Sequence, residues 1–326
     1  MMFLSAFWML SAANLRWVND PVVLEYPPYW PKPVYDFTRN PITKQGIELG
    51  RRLFYDPVLS RDSTVSCSSC HLSFTAFTHV DHALSHGIAD RIGTRNSPAL
   101  MNLAWAKHFM WDGAVSHLDF QALAPLSQPT EMDHSIEKVV QKIQANPVYK
   151  TLFFRAFGDS TVTGERFLKA LSQFELSLIS ANSKYDRMIQ GQEKFSEQEQ
   201  NGYRIFQKNC ASCHPEPFFT NQHFEINGLP VDPILKDYGR MRITQQSNDS
   251  LKFKVPTLRN IEFSYPYMHD GRFKKLREVV NFYAQNTSLR QKIELQPNEK
   301  VDLVAFLLTL TDQAFLFNTN YSFPRD

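Results

Sequence analysis

All four cysteines of this 326-residue chain fall in two short runs, Cys67-Ser68-Ser69-Cys70-His71 and Cys210-Ala211-Ser212-Cys213-His214. Each run reads C-x-x-C-H, the spacing at which two thiols add to the two vinyl groups of one haem while the adjacent imidazole reaches the iron. A zinc site built from four cysteines would have to join pairs about 140 residues apart and would leave both histidines without a purpose. A dithiol redox centre expects a βαβ context, which the hydrophobic pattern lacks. The motifs therefore predict two covalently bound haem c groups. Cys67, Cys70, Cys210 and Cys213 are the attachment points, and His71 and His214 the proximal iron ligands.

Such a chain needs two cores. Its length is about twice that of an ordinary domain, and hydrophobic residues make up 43% of it. Against 35 Lys and Arg stand 33 Asp and Glu, a balance that asks for neither nucleic acid nor a strongly charged partner. The apolar run Phe3 to Ala13 is shorter than the roughly 18 residues of a membrane span and ends in small residues, so residues 1–13 read as a secretory leader. The expected location is the periplasm, with no membrane span in the mature protein. Residues 14–40 carry Pro21, Pro27, Pro28, Pro31 and Pro33 among aromatics, a composition for an extended strap. Helical periodicity dominates thereafter, over Ile42 to Phe54, Ser135 to Gln144, Gly164 to Met188 and Asn298 to Leu310. Ser196-Glu197-Gln198-Glu199 reads as a capping box opening the helix that leads into the second motif. Phe219 to Phe253 reads as a long ordered loop. The predicted fold is mostly α: two cytochrome c-like domains, residues 41–188 and 189–326, each carrying one haem.

The far side of each iron decides between electron transfer and peroxide chemistry. Candidates for the first haem are His79, His82, His86, Met101, His108, Met110, His117 and Met132. Those for the second are His223, Met241, Met268, His269 and Tyr283.

Further motifs then run in order from about residue 40 to 312. They include Gly50-Arg51-Arg52-Leu53-Phe54-Tyr55-Asp56-Pro57, Thr94-Arg95-Asn96-Ser97-Pro98, Met110-Trp111-Asp112-Gly113 and Gln121-Ala122-Leu123-Ala124-Pro125 with Glu131-Met132. The second half adds Phe253-Lys254-Val255-Pro256-Thr257-Leu258-Arg259-Asn260, Pro266-Tyr267-Met268-His269-Asp270-Gly271 and Val279-Val280-Asn281-Phe282-Tyr283. In these the sequence resembles the bacterial di-haem cytochrome c peroxidases and the related MauG proteins. The resemblance implies a peroxidatic N-terminal haem and a C-terminal haem that takes electrons from a small periplasmic cytochrome c or cupredoxin. Hydrogen peroxide is the implied substrate, and a homodimer is a common assembly of such proteins. Trp111 matches the tryptophan between the haems, although a buried packing aromatic would look the same. Gln121 and Glu131 match the polar pair over the peroxidatic iron, with Pro125 shaping the pocket. Cleaving a peroxide moves a proton from one oxygen to the other, work suited to a carboxyl group, while an amide can orient the molecule. Asn96, with the carbonyls of Ser264 and Pro266, matches an inter-domain calcium site; Asn96 could equally be a turn residue before Ser97-Pro98.

Three departures bear on activity. Ser85-His86-Gly87-Ile88 puts Ile88 where many of these peroxidases hold a gating histidine, moves the imidazole to His86, and suggests an open first haem. Tyr283 stands at the sixth-ligand position of the second haem, as in MauG, with Met268 the alternative. Lys208 replaces the tryptophan through which MauG oxidises a protein. The leading expectation is a periplasmic cytochrome c peroxidase. A MauG-like oxidase acting on a protein or other specific substrate, and a non-catalytic di-haem electron carrier, are the alternatives.

Overall fold

The structure, a computed structural model, describes residues 20–286 and 292–325. The expected leader lies outside them. From 20 to 43 the proline-rich segment runs without helix, and Trp105 holds it by donating its indole N–H to the Pro31 carbonyl at 2.7 Å.

Helix α1 (Lys44–Tyr55) starts at Thr43, whose hydroxyl accepts from the Gly46 N–H at 2.9 Å. After the first C-x-x-C-H and a long irregular stretch come the short α2 (Leu123–Ser127), then α3 (Ile136–Ala145), α4 (Pro147–Phe157) and α5 (Gly164–Ser177). Helix α1 crosses α5 at Gly50, where a Cβ would stand 1.9 Å from the Ala170 carbonyl oxygen. Only glycine lets the two backbones approach this closely. Around the crossing lies the first core, with Leu49, Leu53, Phe54, Phe77, Phe153 and Phe174.

The helix expected from Gly164 to Met188 is broken: α5 ends at Ser177, and α6 (Lys184–Ile189) starts anew behind the Ser183 cap. The buried Asn102 explains the break. Its side chain accepts from the Ser180 N–H at 2.9 Å and donates to the Ser180 carbonyl at 3.0 Å, taking the place of helix hydrogen bonds.

The second half repeats the scheme. Helix α7 (Glu197–Asn209) opens with the expected Ser196/Glu199 capping box and leads into the second C-x-x-C-H. It crosses α10 (Pro297–Leu308) at Gly202, where a Cβ would stand 1.9 Å from the Asp302 carbonyl oxygen. Between them lie β1 (Phe224–Ile226), α8 (Met241–Thr244), β2 (Lys252–Lys254) and α9 (Leu276–Gln285). The expected loop from 219 to 253 thus holds a two-stranded antiparallel ribbon that pairs Phe224 with Lys254. Phe206, Phe219, Leu303 and Phe306 build the second core. The last helix, α11 (Gln313–Leu316), returns Phe315 and Leu316 to the first core.

The duplication extends to backbone detail. Asn102, Met110 and Gly113 take φ of +56°, +66° and +72°; Asn260, Met268 and Gly271 take +56°, +74° and +65°. Met110-Trp111-Asp112-Gly113 is therefore the counterpart of Met268-His269-Asp270-Gly271. A third cluster, with Trp30, Trp105, Phe109, Leu118 and Leu176, packs the strap onto the region between the halves.

One fully buried ion pair ties these parts together. Arg259 donates to both oxygens of Asp186 at 2.8 Å and to the Pro217 carbonyl, and stacks 4.8 Å over Trp30. Burial alone would raise the Asp186 pKa; the guanidinium outweighs it and holds the carboxyl below its usual range. The stabilisation is present at neutral pH and is lost as pH falls through the depressed folded-state pKa. Replacing Asp186 with Ala leaves Arg259 uncompensated and is expected to cost about 3–5 kcal/mol, measured as the urea midpoint at pH 7, with the wild-type advantage shrinking in acid.

Candidate active site and cofactor cavities

Each C-x-x-C-H opens onto its own cavity. The first, about 410 Å³, is lined by Cys67, Cys70 and His71. The second, about 680 Å³, is lined by Cys210, Cys213 and His214. Both volumes fall in the roughly 300–1,000 Å³ range of cofactor sites.

The two histidines are oriented alike. His71 Nδ1 lies 2.6 Å from the Phe77 carbonyl, and His214 Nδ1 lies 2.9 Å from the Phe219 carbonyl. Both phenylalanines are fully buried and left-handed, with φ of +59° and +53°. That conformation costs about 1–3 kcal/mol at a bulky residue and persists because the packed ring fixes it. With Nδ1–H donating to a carbonyl, each ring keeps an Nε2 lone pair for a metal. Desolvation lowers the His71 pKa to about 4 and lowers that of His214, so both rings are neutral, as ligation requires. Thiol pairs, neutral imidazoles and cavity sizes all fit a haem at each site.

The residues singled out over the first haem converge. Gln121, Pro125 and Glu131 line the first cavity together with Trp111. Gln121 points its amide toward the Met110 sulfur at 3.8 Å. Burial raises the Glu131 pKa. Of the far-side candidates, His86, His108, Met110 and Met132 line this cavity, whereas His79, His82 and His117 do not. His86 stacks on His82 at 4.0 Å, and its Nδ1 lies 2.9 Å from Asp90. Ile88 is buried outside the cavity lining, and its N–H donates to the Glu131 carbonyl at 2.8 Å.

In the second cavity Tyr283, Met268, His269 and Met101 share the lining with His214; His223 and Met241 do not. Burial raises the Tyr283 pKa, and the Cys213 and Cys210 thiols add to the effect. Asn96, Ser264 and Pro266 also line this chamber. The Asn96 amide donates to the Ala83 carbonyl at 3.0 Å, which leaves its Oδ1 for another partner. Among the described residues no group of three or more His, Cys, Asp or Glu is arranged to hold a metal ion.

A single wall separates the chambers, and Asn96, Trp111, Lys254 and Pro256 face both. The Trp111 indole donates to the Asn96 carbonyl at 2.8 Å, and the Lys254 N–H donates to the Trp111 carbonyl at 2.7 Å. Arg95 braces the wall by donating to Asp112 at 2.6 Å and to both oxygens of Asp237 at 2.6 and 2.9 Å.

Two cavity residues escaped the sequence reading. Glu175, on α5, is only 5% exposed and lines the first cavity. It stands four residues after Leu171 and seven after Leu168, so a carboxyl within an apolar helical stripe was the available signal. Lys254 lies in one of the quoted motifs but carried no assigned role, because a three-residue strand has too little periodicity to show its burial. Burial, and secondarily Asp119, pushes the Glu175 pKa from 4.5 up to about 8. Between those values the folded chain holds a proton that the unfolded chain releases, so this group lowers stability as pH rises from 4.5 to 8. Glu175→Gln is expected to flatten the fall in melting temperature between pH 5 and pH 8, followed by calorimetry on the holoprotein.

The family model for di-haem cytochrome c peroxidase matches residues 44–194. A methylamine utilization protein MauG of Methylorubrum extorquens is 34% identical over 83% of this chain and 79% of its own length. A cytochrome c551 peroxidase of Nitrosomonas europaea is 32% identical over 93% of this chain and 87% of its own. The crystal structure of a MauG-like protein associated with microbial copper homeostasis superposes with a TM-score of 0.84 at 31% identity, covering 92% of this chain and 98% of that one. The chain belongs to the di-haem cytochrome c peroxidase family, a family of haem-dependent oxidoreductases. Its relatives carry both the peroxidase and the MauG names.

Proposed function

We propose that this chain is a periplasmic di-haem peroxidase that reduces hydrogen peroxide to water with electrons from a small c-type cytochrome or cupredoxin. The observation that carries the reading is the presence of Glu131 and Gln121 in the same cavity as His71, with the Glu131 pKa raised by burial. On this reading residues 41–188 and 189–326 are two cytochrome c-like units. Cys67, Cys70, Cys210 and Cys213 hold two haem c groups, His71 and His214 are proximal ligands, and Tyr283 is the sixth ligand at the second site, with Met268 the alternative. Asn96 Oδ1 and the carbonyls of Ser264 and Pro266 would take calcium, which suits an all-oxygen set.

The bound haems supply the redox equivalents for breaking the O–O bond. The chain supplies position and protons: H2O2 + 2H+ + 2e− gives 2H2O. Gln121 orients the peroxide, and Glu131 accepts a proton from one oxygen and returns it to the other, assistance worth about 10²–10⁴-fold. Desolvation suits Glu131 to this, because raising the pKa makes the carboxylate a stronger base toward the peroxide proton. Trp111, facing both chambers, provides the bridge for electrons.

The test is peroxide-dependent oxidation of a reduced small cytochrome c, comparing fully oxidised enzyme with enzyme pre-reduced by one electron. Turnover in both states is expected, because Ile88 rather than histidine occupies the gating position; turnover only after pre-reduction would point to His86 as a gate. Glu131→Gln is expected to lower kcat by about 10²-fold or more, and unchanged turnover would remove the acid/base role. No turnover with two six-coordinate haems would favour an electron carrier.

A MauG-like oxidase acting on a protein or other specific substrate is the second reading. Tyr283 beside His214 favours it, as do the relatives that carry the MauG name. Lys208, exposed on α7 in place of the MauG tryptophan, weighs against it. Under this reading Tyr283→Phe changes the ferric absorption spectrum of the second haem, and an unchanged spectrum removes its main support.

A further inference from the structure

In the wall between the two chambers stands a cation, Lys254, that no acid among the described residues pairs. Lys254 closes β2, is half-buried and lines both cavities. Its backbone is fixed by the 2.7 Å bond to the Trp111 carbonyl. Of the cations around it, Arg95 is matched by Asp112 and Asp237, Lys252 by Asp249 at 3.1 Å, and Arg240 by Asp249 at 4.0 Å. The Lys254 ammonium makes no hydrogen bond or ion pair with any described residue. Its neighbour His108 offers no compensation, since burial and the cations Arg240, Lys254 and Lys107 lower its pKa.

An ammonium taken out of water without an anion is costly, and proteins keep one only where a partner arrives. Burial pulls the Lys254 pKa down to about 8, which leaves it largely charged at pH 7 and in want of that partner. The groups that both cavities are built to receive each bring carboxylates, the two propionates of a haem. We propose that Lys254 is a shared counter-cation, whose ammonium pairs with propionate carboxylates of the haems in both chambers and raises the reduction potential of each. A fixed positive charge favours the reduced iron, which carries one positive charge fewer, and the low-dielectric wall lets it act on both sides. Lys254 is thus a positioning and tuning residue, apart from the peroxide-handling groups. The inference rests on the two-haem part of the proposed function and not on its peroxidase part.

The experiment is a potentiometric titration of wild-type, Lys254→Met and Lys254→Arg holoproteins, followed by haem absorbance without peroxide or donor. A pyridine haemochrome assay first gives the haem content: two per chain is expected, and a lower content in the wild type would sink the two-haem reading itself. With both haems present, Lys254→Met is expected to shift both midpoint potentials downward, while Lys254→Arg keeps both at wild-type values. If Lys254→Met leaves either midpoint in place, the shared role is wrong. If Lys254→Arg falls as far as Lys254→Met, the effect is one of shape and not of charge, which also overturns the proposal. Should the Met variant fail to accumulate, Lys254→Gln replaces it with the same readings.

Discussion

Trp111 is pinned at both of its polar ends, the indole on the Asn96 carbonyl and its own carbonyl under the Lys254 N–H. The first bond lies within the first half of the chain and the second joins it to a segment of the second half, and the Trp111 side chain faces both chambers. Everything else holds that wall in place. Arg95 clamps it to Asp112 and Asp237, and Arg259 anchors the adjoining segment on Asp186 beneath Trp30. The two glycine crossings fix α1 and α7 against their neighbours; the second C-x-x-C-H follows α7 directly, while the first is reached from α1 through a short irregular segment. A wall of fixed width would suit the electron bridge proposed for Trp111, because electron transfer falls away steeply with distance.

The two halves use the same devices and differ in what they present. Each has a helix leading to its motif, a glycine crossing, a left-handed buried phenylalanine whose carbonyl orients the histidine, and a left-handed methionine opening a Met-x-Asp-Gly turn. Within that common frame the first chamber receives Gln121, Glu131 and Glu175, groups that orient small polar molecules and move protons. The second receives Tyr283 and Met268, groups that ligate metals. The turn itself shows the divergence, for Trp111 faces both chambers and its counterpart His269 stacks on Phe253 at 3.8 Å. The two halves share a scaffold, and a few lining positions distinguish the proposed peroxide site from the proposed electron-entry site.

What was legible in the sequence was local. C-x-x-C-H specifies its chemistry within five residues, and the Ser196/Glu199 box marks a helix start within four. The break after Ser177 was not legible, because its cause is Asn102, some 75 residues earlier in the chain. Gln121 and Glu131 came from resemblance, and periodicity alone would have left Glu131 an ordinary surface residue. Lys254 is hidden for a related reason: on a short strand its alternation cannot be read, and the burial that distinguishes it exists only once two distant segments meet.

Glu175 and Lys254 face the first chamber with pKa values that burial moves from opposite ends of the scale to about 8. Left to themselves, the acid would gain a negative charge and the ammonium lose its positive charge over one pH range, and the chamber's charge would fall by two. A carboxylate partner for Lys254 separates these events, because an ion pair restores the ammonium pKa upward while leaving Glu175 to titrate alone. The chamber then keeps a fixed positive charge at its wall and a neutral acid beside Cys67 at neutral pH. On the proposed peroxidase function, that combination would favour electron arrival and hold a proton in reserve, the two commodities that reduction of a peroxide consumes.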